Sequence, residues 1–209
     1  MTTLSQILEH KIVAILRGAD PNDVLKIAEA LYDGGVKVLE VTMNSANALA
    51  LIKQLSEIMK DKMLIGAGTV LDAATAESAI NAGARFIISP CLNVEVIKTT
   101  KQLGAVSIPG AYTPTEIVNA YKSGGDIIKV FPASSNVNYI KEIRAPLSHI
   151  PLMPTGGITL GNIGEFSKAG AVAFGIGTAL VNTKAKVTEE YLKRLTERAK
   201  EFVQAVTNL

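Results

Sequence analysis

Tryptophan is absent from this chain of 209 residues, and aromatic residues make up 5% of it against 48% hydrophobic residues overall. A core without large rings must be assembled from Ala, Val, Ile and Leu, which suits a parallel sheet wrapped by helices. A single cysteine, Cys91, excludes an internal disulfide framework and fits a reducing compartment. With no histidine near it in sequence, that thiol reads as a small, partly buried residue rather than a nucleophile. Only His10 and His149 are present, which is too few for a multi-histidine metal centre, so no metal and no cofactor are expected. No G-x-S-x-G or H-E-x-x-H motif occurs. The net charge of +2 and pI of about 8.6 argue against a nucleic-acid or membrane-surface partner. The longest weakly polar stretch, AGAVAFGIGTALV, is roughly 13 residues and too short to span a bilayer. The opening MTTLSQILEHKIVAILRG lacks a basic region followed by a long apolar one, so a cytoplasmic protein is expected.

What the chain does have is an alternation of short β-branched runs with longer amphipathic stretches. The runs are KIVAILRG, VKVLEVTM, MLIGAGTV, FIISP, AVSIPG, IIKVFPA, PLMPTGG and AVAFGIG, starting about 19 to 27 residues apart. Helix starts are marked in DPNDVLKIAEAL, DAATAESAI, TPTEIVNAY and TLGNIGEF by a capping residue or Pro. Helix ends are marked by the glycines of DGG, NAGA, SGGD and KAGA. The charged segment EEYLKRLTERAKEFVQAV reads as a helix with one solvated face, its charges paired at i, i+4. Eight βα units without a linker or composition break predict an α/β protein, a (β/α)₈ TIM barrel forming one domain over 1–209. The segment TTLSQILEH adds a helix ahead of the first strand. A doubly wound open sheet is the alternative, but GAGTVL and GIGTAL both lack the third glycine of a dinucleotide fingerprint.

In such barrels the reacting groups sit at the C-terminal ends of strands. Position alone then selects Arg17, Glu40, Thr42, Asn44, Thr69, Pro90, Lys129, Phe131, Thr155, Gly156, Gly157, Gly177 and Thr178. Lys129 is the anomaly, a lysine inside the apolar run IIKVFPA. Side chains alternate along a strand, so Ile127, Lys129 and Phe131 face the lumen while Ile128 and Val130 face the helices. Val38, Glu40 and Thr42 share the lumenal face of strand two, across the barrel from strand six. One reading is a structural ion pair, although leucines would pack better and buried pairs stabilise little. The other is an imine-forming lysine. A depression of about three pKa units inside an apolar wall would leave roughly a quarter of the amine free near neutrality. Glu40 is then the proton carrier that dehydration and carbon protonation require.

PTGGIT after strand seven and GIGTAL after strand eight are expected to open directly into helices, a frequent phosphate-binding corner of barrels.

The set LEVTMNS, IGAGTVL, IPGAYTPTE, IKVFPAS, PTGGI and GIGTALV, in this order over roughly residues 5–181, resembles the KHG/KDPG aldolase family. The resemblance implies a metal-free Schiff-base aldolase that releases pyruvate. In it Lys129 forms the imine and Glu40 is the acid/base. Thr69 binds the pyruvyl carboxylate, Phe131 and Thr155 line the pocket, and Gly156, Gly157 and Thr178 hold phosphate. It also implies a homotrimer. Many phosphogluconate-type members carry Arg four residues after the glutamate, where this chain has Asn44. Arg17 of ILRG is the candidate replacement as carboxylate ligand, and the configuration at C4 stays open. The expected substrate is a phosphorylated keto-sugar acid, 2-keto-3-deoxy-6-phosphogluconate, cleaved to pyruvate and glyceraldehyde 3-phosphate. The alternatives are the phosphogalactonate epimer and 4-hydroxy-2-oxoglutarate. More distant ones are a phosphosugar isomerase or thiamine-phosphate-type synthase and a non-catalytic phosphosugar sensor.

Overall fold

In the computed structural model, which describes residues 1–134 and 136–207, each apolar run holds a parallel strand. The strands are β1 (Ile12–Leu16), β2 (Val38–Thr42), β3 (Leu64–Gly68), β4 (Phe86–Ile88), β5 (Val106–Ile108), β6 (Gly110–Ala111), β7 (Ile128–Val130), β8 (Leu152–Pro154) and β9 (Phe174–Ile176). The helices are α1 (Thr3–His10), α2 (Val24–Asp33), α3 (Ala48–Ile58), α4 (Ala73–Asn81), α5 (Val94–Gln102), α6 (Pro114–Lys122), α7 (Val137–Arg144), α8 (Ile163–Lys168) and α9 (Glu189–Thr207).

The strands hydrogen-bond in two series, β5-β4-β3-β2-β1-β9 and β6-β7-β8. The run expected as one fifth strand is split into β5 and β6 at Pro109, which has no N–H to donate to the ladder. The chain crosses that break directly, and the Pro109 carbonyl accepts from the Lys129 amide at 2.9 Å. On the other side a parallel bridge joins Thr155 to Gly175, and the Val172 amide donates to the Leu152 carbonyl at 3.0 Å. The curled sheet thus forms a barrel of eight βα units.

Alternation divides the interior in two. Ile12, Ala14 and Leu16 of β1, with Ile128 and Val130 of β7, pack outward against the helices. Val13, Val38, Phe86, Ile108, Ile127, Met153 and Ala173 form a separate lumenal cluster. Ile7 of α1 belongs to that cluster and is fully buried, so the first helix closes the N-terminal end of the barrel. The Phe86 ring occupies the space over Gly66 of the neighbouring strand, where a Cβ would collide with it.

Helix boundaries follow local chemistry unevenly. Thr113 and Glu116 form a reciprocal capping box ahead of Pro114, and Asp72 caps Thr75. Asp23 and Asn162 stand at the starts of α2 and α8 without a side-chain cap bond, contrary to expectation. Asp23 pairs instead with Lys26 at 3.0 Å, and Asn162 is used elsewhere. The buried face of α9, with Leu195, Ala199 and Phe202, docks on α2 across Gly34. Its exposed face carries the pair Arg194–Glu190 at i, i+4 together with i, i+3 pairs.

Phe86 fills the lumenal floor with no side chain of equal size to replace it. Phe86→Ala should lower unfolding stability by about 3 to 5 kcal/mol, measured by denaturant titration. A loss below about 1 kcal/mol would mean that the floor is held by other contacts.

Candidate active site

Lys129 sits in the middle of β7, flanked by Gly110 on one side and Met153 on the other. Glu40 occupies the third position of β2, between Ile15 and Gly66. Both side chains point into the lumen and both are almost wholly buried, at 3% and 1% exposure. Glu40 leans over Gly68, where any Cβ would collide with its carboxylate. Neither of its oxygens has a hydrogen-bond partner, although they are shielded from solvent. The lysine ammonium lies 4.8 Å from the centre of the Phe131 ring.

Burial decides the protonation of both groups. Desolvation raises the Glu40 carboxyl above its ordinary range, against the opposing attraction of Lys129 and then of Arg17. Desolvation likewise lowers Lys129, against the attraction of Glu40, and the positive charge of Arg17 lowers it further. The two groups sense each other without a hydrogen bond to fix them as an ion pair. Such a site favours a neutral amine next to a carboxylic acid, a nucleophile beside a proton donor.

A cleft of about 680 Å³, within the usual size range of small-molecule sites, opens beyond the C-terminal ends of β1, β7, β8 and β9; Lys129, Glu40 and Thr69 are not among the residues that line it. Arg17, Phe131, Thr155, Gly156, Gly157, Gly177 and Thr178 all line it. Thr155 is buried, its hydroxyl unpartnered and seated over Gly175, which leaves no room for a Cβ. Gly156 and Gly157 hold φ of 88° and 76° in the wall of the cleft, a left-handed pair that side chains rarely adopt.

One expectation is corrected at this corner. PTGGIT does not open directly into a helix, because α8 begins only at Ile163. The intervening turn is stitched by Asn162, whose side chain accepts from the Thr159 amide and donates to the Gly157 carbonyl, both at 2.8 Å. GIGTAL leads into a single turn, in which the amides of Leu180 and Val181 both donate to the Gly177 carbonyl. The next long helix, α9, begins at Glu189.

Thr69, half-buried after β3, adopts a φ of 56°. That conformation is strained for a β-branched residue, and such strain concentrates at ligand sites. Asn44 is exposed in the turn after β2, and Pro90 follows β4 against Gly110; neither lines the cleft. Cys91 is exposed rather than partly buried as expected, because it lies in the loop beyond the strand.

Sequence reasoning missed Gly68 and Gly175, although both lie on lumenal positions by parity. It also missed Ser45, whose hydroxyl accepts from the Gly18 amide at 2.9 Å and contacts Thr42, tying together the loops after β1 and β2. Among the described residues no three His, Cys, Asp or Glu side chains gather as metal ligands would. No helix among them is long and apolar enough to cross a membrane.

The family profile for KDPG and KHG aldolase matches residues 4–197 of the chain. The 2-dehydro-3-deoxy-6-phosphogalactonate aldolase of Escherichia coli is 33% identical over 196 residues, covering 93% of each chain. The 2-dehydro-3-deoxy-phosphogluconate aldolase of Haemophilus influenzae is 35% identical over 165 residues, 78% of this chain and 77% of the relative. The crystal structure of KDPG aldolase from Legionella pneumophila, with pyruvate captured as a covalent carbinolamine, superimposes with a TM-score of 0.85 at 27% identity. It covers 95% of this chain and 97% of that one.

The raised carboxyl of Glu40 has a consequence for stability. Its desolvation cost is absent below the unfolded-state value near about 4.3 and fully present above the raised folded value. Glu40→Gln should therefore melt close to the parent near pH 4.5 and above it at pH 8, with the gap in Tm widening as pH rises, read by thermal denaturation across that range. A variant that melts below the parent at pH 8 contradicts this.

Proposed function

The chain belongs to the KDPG and KHG aldolase family, and we propose that it cleaves a 2-keto-3-deoxy-6-phospho sugar acid of the gluconate configuration to pyruvate and glyceraldehyde 3-phosphate. It is a class I, pyruvate-dependent aldolase. The observation that carries the assignment of residues is the burial of Lys129 and Glu40 together, with the amine held down and the carboxyl held up.

Lys129 Nζ, as free amine, attacks the C2 ketone of the substrate. Glu40 gives its proton to the departing hydroxyl of the carbinolamine, which leaves as water and yields the iminium. The carboxylate so formed takes the C4 hydroxyl proton. The C3–C4 bond then breaks, its electron pair flows into the iminium, and the aldehyde departs. Glu40 returns the proton to C3 of the enamine, and water releases pyruvate from the resulting imine, regenerating the amine. Each proton leaves from and returns to one carboxyl group, which its unpartnered oxygens leave free to act.

Thr69 and Arg17 are assigned to the carboxylate end of the substrate. The strained backbone of Thr69 and the charge that Arg17 exerts on both reacting groups support this. Thr155 and Phe131 bracket the reacting carbons, and the phosphate is assigned to Gly156, Gly157 and Thr178. The phosphogalactonate epimer is a second reading. Asn44 in place of the arginine of many phosphogluconate-type members, and the long match to the Escherichia coli relative, both favour it.

Borohydride reduction in the presence of pyruvate should attach the three-carbon unit to Lys129, read by peptide mass spectrometry. An unmodified lysine would refute the Schiff-base assignment. Turnover of the two C4 epimers and of unphosphorylated 4-hydroxy-2-oxoglutarate, assayed side by side, ranks the substrates. Arg17→Ala should raise KM by about tenfold or more for every pyruvate-bearing substrate, as expected for a lost charged hydrogen bond. An unchanged KM removes Arg17 from the carboxylate site.

A further inference from the structure

A cavity of about 840 Å³, larger than the cleft above the reacting lysine, lies at the opposite pole of the barrel. Its walls carry Lys37, Lys60, Lys62 and Arg85 against a single carboxylate, Asp61. We propose that this cleft is a second anion site, taking a small molecule with two or more phosphate groups.

The cations are placed there by the fold. Lys37 immediately precedes β2, Lys62 stands two residues before β3, and Arg85 immediately precedes β4. One basic residue at the entrance of each of three neighbouring strands gives a row along one edge of the sheet. The backbone of that row is rigid: the Leu64 amide donates to the Lys37 carbonyl and the Arg85 amide to the Ile65 carbonyl, each at 2.8 Å.

Two of the side chains converge as well. The Lys37 ammonium lies 3.3 Å from the centre of the Tyr32 ring, and the Lys62 ammonium lies 5.8 Å from the same centre. Two ammonium groups around one ring repel each other unless an anion or solvent screens them. Among the described residues Lys37, Lys60, Lys62 and Arg85 form no ion pair with a protein carboxylate.

The N-terminal face of a barrel ordinarily serves stability. Four cations around one acid give this face a local positive excess, and a concave surface of one sign concentrates anions. The concavity is of small-molecule size. Four positive charges facing one negative charge leave an excess that a singly charged ligand cannot neutralise, which selects a multivalent one. Arginine in the row adds the planar, forked donor set that matches phosphate oxygens.

Titration calorimetry with inorganic pyrophosphate tests the site on three proteins: the parent, Lys62→Ala/Arg85→Ala, and a control of equal charge loss, Lys53→Ala/Lys193→Ala. All four residues are exposed, and none belongs to the proposed catalytic site. The parent should show one more pyrophosphate per chain than the double variant, or an affinity at least about tenfold higher, while the control stays within about twofold of the parent. Cleavage kinetics should be the same in all three, so that any pyrophosphate held at the Gly156–Gly157 corner is common to the comparison. Unchanged titration of the double variant overturns the proposal. So does an equal loss in the control, which would reduce the effect to the general field of the protein.

Discussion

Everything at the centre of this protein depends on removing one amine from water. The strand that carries Lys129 is apolar before and after it, and the lumen below is filled by Ile127, Met153 and Phe86. A fully charged ammonium is badly solvated in such a place, and its equilibrium shifts toward the free base. The same dry environment acts in the opposite sense on Glu40. One physical cause thus favours both the free electron pair and the held proton that the proposed mechanism uses. A tight ion pair would have undone this by making both charged forms comfortable. No hydrogen bond joins the two groups.

Room for these side chains is made by what the neighbouring strands leave out. Glu40 needs Gly68, and Thr155 needs Gly175, because each lies where the next strand would otherwise project a Cβ. Close-packed interiors have little slack, so the missing methyl groups are part of how the site is positioned. Gly156 and Gly157 differ from these, since what they need glycine for is a left-handed backbone. Thr69 takes up a comparable conformation with a β-branched side chain, and does so at a cost in local strain.

Much of this is legible in the sequence. Eight β-branched runs at regular spacing mark the strands, and period two along them is enough to separate Lys129 and Glu40 from Ile128 and Val130. Local capping chemistry is read less well. Asp72 and Thr113 cap as their types suggest, while Asp23 turns to Lys26 and Asn162 to the glycine turn. Those residues have two competing partners within a few positions, and tertiary placement chooses between them. The delayed start of α8 has the same origin, because Asn162 holds an extra turn that no local signal announces.

The order of residues along the chain already carries the alternation of strand and helix, the side of each strand on which a residue lies, and one lysine that no apolar strand requires. These are consequences of composition and of short-range geometry. Tertiary structure alone decided that β8 meets β9 and that Glu40 comes to lie over Gly68. It also decided that the charge of Arg17 acts on both Lys129 and Glu40, and that three strand entrances bring Lys37, Lys62 and Arg85 to one edge. The physical reason is closure: distances across a barrel exist only once the sheet has curled onto itself, and no spacing along the chain encodes them.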